Sequence, residues 1–117
     1  MPAPEVPQLL VHWERTVGEL LDRTAHFPKA VRFTFAQRID GLALDLLDTL
    51  VRARWAPRTQ TLALLVSADG TLAVLRAMVR LSFERRYLAR AGFEQLVRAL
   101  DEAGRMLGGW RASLETP

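Results

Sequence analysis

Apolar residues recur along this chain at intervals of three and four, the period of an amphipathic helix. Val6, Leu10, Trp13, Val17, Leu20, Leu21, Thr24 and Phe27 line one stripe, which predicts a first helix over 6–27. Pro4 and Pro7 suit its start, where a proline forfeits no intrahelical hydrogen bond, and Pro28 closes it. A second helix is predicted over 31–55. One apolar seam runs through Phe35, Ile39, Leu42, Leu46, Leu50 and Ala53, and another through Leu44, Leu47, Val51 and Trp55. Asp45, Asp48 and Arg52 leave only a narrow polar strip, with Asp48 and Arg52 at the spacing of an i, i+4 pair. A helix apolar on two sides is either central in its domain or covered on its second side by another subunit.

The third helix, predicted over 58–88, carries Leu62, Leu65, Ala68, Leu72, Leu75, Val79 and Phe83 on one face. Within it Ser67-Ala68-Asp69-Gly70 reads as a turn, and a mid-helix glycine costs about 1 kcal/mol relative to alanine. The period stays in phase across the glycine, which favours one continuous helix. The fourth helix, predicted over 90–111, buries Phe93, Leu96, Val97, Leu100, Ala103, Leu107 and Trp110. Asp101 and Arg105 are placed as an i, i+4 pair. Gly104 and Gly108 lie one turn apart, where missing side chains let another backbone approach. Gly108-Gly109 should weaken the helix near its end, with fraying from Ser113. No run alternates with period two. The expectation is an all-α, antiparallel up-down-up-down four-helix bundle, a single domain over 1–117.

Composition agrees: 50% of residues are apolar and 25% charged, the balance of a folded chain. There is no cysteine, so thiolate chemistry and disulfides are excluded. The start, MPAPEVPQLL, lacks a signal-peptide pattern, and no uninterrupted apolar run approaches the ~18 to 20 residues of a spanning helix. A cytoplasmic protein that engages no membrane is expected.

Charge changes the picture more. Residues 1–51 hold five basic and seven acidic side chains, residues 52–90 eight against two, and residues 91–117 three against four. The excess basic charge is therefore confined to Arg52, Arg54, Arg58, Arg76, Arg80, Arg85, Arg86 and Arg90. Lys29 is the one lysine among 16 basic residues, and the arginine fork suits phosphate better than an ammonium does. Arg76 and Arg80, one turn apart, are placed on the face opposite the core, while Arg85, Arg86 and Arg90 crowd the turn that follows. Two readings stand: a hydrated face whose stems cover apolar surface, or a phosphate-binding strip sensitive to salt. Reversing Arg76 and Arg80 to glutamate should then abolish RNA binding and leave the fold intact. Trp13, Trp55 and Trp110 all sit on apolar stripes, as core or subunit-interface residues, and no exposed aromatic interleaves the arginines.

Catalytic patterns are missing. There is no glycine-rich phosphate loop, and neither His12 nor His26 follows a glutamate by three positions as a di-iron bundle requires. Asp22 and His26 can touch on helix one, but two residues do not complete a metal site. Ser67, Ser82 and Ser113 have no base beside them in sequence. Neither an enzyme nor a bound metal or cofactor is expected.

The strings His26-Phe-Pro-Lys29, Arg32-Phe-Thr, Gln37-Arg38-Ile39 and Leu100-Asp-Glu-Ala-Gly-Arg-Met-Leu-Gly-Gly-Trp110 resemble the accessory variability determinant proteins of diversity-generating retroelements. These share a four-helix-bundle family with proteins encoded by intervening sequences in 23S ribosomal RNA genes. The resemblance implies a pentameric barrel that binds RNA and DNA with little sequence preference. It also implies association with the element's error-prone reverse transcriptase, which performs mutagenic copying of a template RNA. It implicates Lys29, Arg32 and Arg38 with the arginines of 52–90, and makes Gly104, Gly108, Gly109 and Trp110 packing residues. Leu44, Leu47, Val51 and Trp55 would face a neighbouring subunit. The chain departs from the family pattern at Gly70 and at Ala89, where a helix cap would be natural. An adaptor without nucleic-acid binding, and the ribosomal branch, are the alternatives.

Overall fold

A computed structural model describes residues 6–115. Pro4 lies outside the described residues, as do the side chains of Val6 and Pro7. The described residues form helices α1 (Val6–Thr24), α2 (Gln37–Trp55), α3 (Arg58–Glu84) and α4 (Arg90–Glu115), without strands. A 3₁₀ turn (Lys29–Val31) and a π turn (Arg32–Ala36) lead into α2. Each helix packs on the next in chain order, and α1 closes the ring against α4. The bundle measures 48 × 24 × 19 Å.

Periodicity located the core. Trp13, Leu20, Ile39, Leu46, Leu50, Leu65, Leu75, Leu96, Leu100 and Leu107 are all buried to within 1–2%. Trp13 donates its indole N–H to the Ala43 carbonyl at 3.0 Å, so this fully buried ring leaves no polar atom unpaired. α3 runs unbroken through Gly70, where an added Cβ would meet nothing within 4 Å.

The helix ends differ from expectation, each for a local reason. α1 stops at Thr24, not Phe27, because the ring of Pro28 excludes a helical carbonyl four residues earlier. Thr24 instead donates from its hydroxyl to Asp40 at 2.6 Å, which ties the end of α1 to α2. Residues 31–36 are not α-helical; the widened π turn intervenes before Gln37. α3 ends at Glu84, not 88: Arg86 adopts φ 67°, and the amides of Arg86 and Tyr87 turn back to Phe83 and Ser82 at 2.9 and 2.8 Å. That is a Schellman closure with arginine where glycine is usual. α4 continues past Gly108-Gly109 to Glu115, not 111. Ser113 donates to the Trp110 carbonyl at 2.7 Å within that last turn.

α3 holds a second correction. By length and composition alone it is apolar enough to cross a membrane, with Asp69 its only charge between Arg58 and Arg76. Its inner face (Thr61, Leu65, Ala68, Leu72, Leu75, Val79, Ser82) is buried in the bundle. Its outward face carries Ala63, Val66, Ala73, Val74, Ala77 and Leu81, all exposed. The side opposite the core is thus apolar, not the arginine strip expected there.

Candidate nucleic-acid interface

The arginines of residues 52–90 form no single patch. Arg52, Arg54 and Arg58 flank the α2–α3 turn, whereas Arg85, Arg86 and Arg90 flank the α3–α4 turn. The 27 residues of α3 hold these turns about 40 Å apart. An up-down path brings the second group to the same pole as the α1–α2 connection, which carries Lys29 and Arg32 and leads into Arg38 in the first turn of α2. Aromatic packing joins the two connections: the Tyr87 ring lies 5.8 Å from Phe27 and 5.1 Å, edge on, from Phe35.

At the α2–α3 pole the cations are engaged within the chain. Arg52 pairs with Asp48 at 2.9 Å, as its spacing predicted. The Arg54 guanidinium lies 5.2 Å over the Trp55 ring, and Arg58 donates to the Leu114 carbonyl at 3.2 Å. Arg111 pairs with Asp69 across α3 and α4. Trp55 is 76% exposed, so of the two roles open to it the core is excluded for this chain.

Arg76 and Arg80 separate too. Arg76 is half-buried: it pairs with Asp101, donates to the Leu100 carbonyl at 3.2 Å and sits over Gly104. A Cβ at Gly104 would come within 2.5 Å of that guanidinium, so this glycine makes room for an arginine and not for a backbone. Gly92 seats Arg23 in the same way, at 3.0 Å. Gly108 meets nothing within 4 Å. Reversal of Arg76 would therefore disturb the fold, contrary to the expectation for the Arg76 and Arg80 pair. Arg80 is exposed and has no partner among the described residues. Asp101 thus faces Arg76, while Arg105 forks onto Glu102 at 2.6 and 3.0 Å. That fork holds the Glu102 carboxyl below its ordinary 4.5.

The pole at the α1–α2 and α3–α4 connections differs. Lys29, Arg32, Arg38 and Arg86 are exposed there and make no side-chain bond to any described residue. Arg85 reaches the Tyr87 hydroxyl at 3.4 Å, which raises its already high pKa, and Arg90 lies 5.3 Å over Phe83. Phe83 in turn stacks on Phe93 at 4.2 Å. Between Arg32 and Arg38 the Phe33 ring is 80% exposed. Sequence reasoning missed Phe33, although its position out of phase with Phe35 and Ile39 was a usable signal.

Among the described residues no group of three or more histidine, aspartate or glutamate side chains gathers as a metal site. His12 places Nε2 2.8 Å from the Ala99 carbonyl, a packing contact between α1 and α4. His26 holds Nδ1 2.9 Å from the backbone oxygen of Asp22, not from its carboxylate.

An all-α bundle with arginines bracketing FPK, and with Leu100, Ala103, Met106, Leu107 and Trp110 of the last string buried, narrows the comparison. Among protein-family models, the one described as bAvd-like matches residues 10–114. The chain belongs to the bAvd-like family. That membership is of the accessory, retroelement type and spans all but the ends of the chain. No curated protein matches it.

Proposed function

We propose that this bAvd-like protein is a non-catalytic accessory subunit of a diversity-generating retroelement. It binds template RNA and its DNA copy with little sequence preference, associates with the element's reverse transcriptase, and acts in the cytoplasm without metal or cofactor. The observation that carries this reading is the set of unpartnered cations, Lys29, Arg32, Arg38 and Arg86, gathered at one pole of a bAvd-like bundle. Folding makes no use of them, and phosphate is the ligand that a group of free guanidinium forks fits best.

The same reading includes a homo-oligomer, a pentamer by family resemblance. Leu44, Val51 and Trp55 on α2 and Val66, Val74 and Leu81 on α3 are exposed without neighbours to cover them, and a ring would use both faces heterologously. Those faces also favour the second reading, an adaptor that meets the polymerase without touching nucleic acid.

Light scattering on the purified protein, with and without a structured RNA across a salt series, tests both parts. A pentamer whose RNA affinity falls steeply with salt supports the accessory reading. A monomer indifferent to RNA overturns it, and a salt-insensitive complex with the polymerase alone selects the adaptor.

A further inference from the structure

Phe33 is the most exposed large apolar side chain in the described residues, at 80%. Its neighbour Phe35 is half-buried and packs edge-on against Tyr87. Phe33 stands instead as a ridge between two open depressions. One is lined by Leu21, Ala25, Arg32 and Asp40, the other by Thr34, Arg38, Gly41 and Asp45. Each depression is thus lined by one arginine and one aspartate, and Lys29 lies a turn upstream. The display depends on rare backbone: Arg32 and Phe33 begin a π turn, a widening that occurs mostly as single turns and often at functional sites.

We propose that this ridge is a single-stranded nucleic-acid site, in which Phe33 stacks on a base and Lys29, Arg32 and Arg38 hold the flanking phosphates. It deepens the nucleic-acid reading above and rests on it. Cations alone attract duplex and single strand alike, but a protruding ring gains a partner only from a base whose face is free. A second copy of this chain is the weaker occupant. Covering Phe33 would take Lys29, Arg32 and Arg38 out of water, and desolvated charges need counter-charges. Of the two acids that line the depressions, Asp40 already accepts from Thr24 at 2.6 Å, which leaves Asp45 alone to set against three cations.

The test is titration of the full-length protein with a labelled oligothymidine of about 16 nucleotides and with a blunt duplex of the same length. Phe33→Ala should weaken single-strand binding by roughly 5- to 150-fold, the range of one lost base stack, with duplex affinity unchanged. Phe33→Trp should restore it, and its indole emission should be quenched by the single strand and not by the duplex. Wild-type single-strand affinity in Phe33→Ala overturns the stacking role and leaves nucleic-acid binding standing. A smaller assembly in Phe33→Ala, seen by light scattering, assigns the ring to a subunit contact and overturns it as well. Failure of the wild type to bind either probe removes the nucleic-acid reading itself.

Discussion

The two poles of this bundle have similar inventories of arginine and opposite uses for them. At the α2–α3 pole Arg52, Arg54, Arg58 and Arg111 each face an acid, a ring or a carbonyl of the same chain. At the other pole Arg85 and Arg90 rest on Tyr87 and Phe83, but Lys29, Arg32, Arg38 and Arg86 face solvent. The backbones differ in step: proline-delimited helices meet at the first, while a 3₁₀ turn, a π turn and a left-handed arginine build the second. Cation density along the sequence therefore says little about available positive charge. What matters is how many cations the fold leaves without a partner, since an engaged guanidinium must give up one interaction to gain another.

Charge reversal should break this symmetry most visibly. Lys29→Glu/Arg32→Glu/Arg38→Glu is expected to flatten the dependence of log affinity on log salt by about 2, at roughly 0.7 per lost phosphate contact on a single strand. Arg52→Glu/Arg54→Glu/Arg58→Glu should flatten it far less. Equal slopes for the two triple variants would erase the distinction between the poles.

The midsection offers a smaller, cleaner contrast. Arg76→Ala removes the partner of the exposed Asp101 and empties the seat over Gly104, so urea denaturation should show a loss of about 1 kcal/mol. Arg80→Ala, one turn on, should stay within about 0.5 kcal/mol. If both variants unfold at one midpoint, the pairing of Arg76 carries no stability.

Arg86 sharpens the comparison at the smallest scale. A non-glycine residue at φ 67° carries strain of about 1 kcal/mol, so Arg86→Gly should stabilise the bundle by at most that much. It should also weaken RNA binding slightly at low salt. Lower stability in Arg86→Gly would mean that the arginine side chain supports the turn.

Several features are legible in the amino-acid sequence. Trp13, Leu46, Leu65, Leu100 and Trp110 were placed inside by spacing alone, because helical period is a local property that burial must respect. Continuity through Gly70 followed from phase in the same way. The Thr24 and Glu84 ends were overrun because apolar spacing persists beyond the point where Pro28 and a Schellman turn stop the hydrogen-bond ladder. Gly104 was read as a packing glycine without its partner, since Arg76 reaches it from another helix.

The sequence by itself determined an all-α chain, the stripes that fill its core, and its kinship to the bAvd-like family. Each depends on residue types at short, regular intervals. Only the tertiary structure decided that residues 52–90 split between opposite poles, that Arg76 is engaged while Arg80 is free, and that Phe33 stands in water between two depressions, one lined by Arg32 and the other by Arg38. Those outcomes depend on which side chains from distant segments meet, and a one-dimensional period carries no such information.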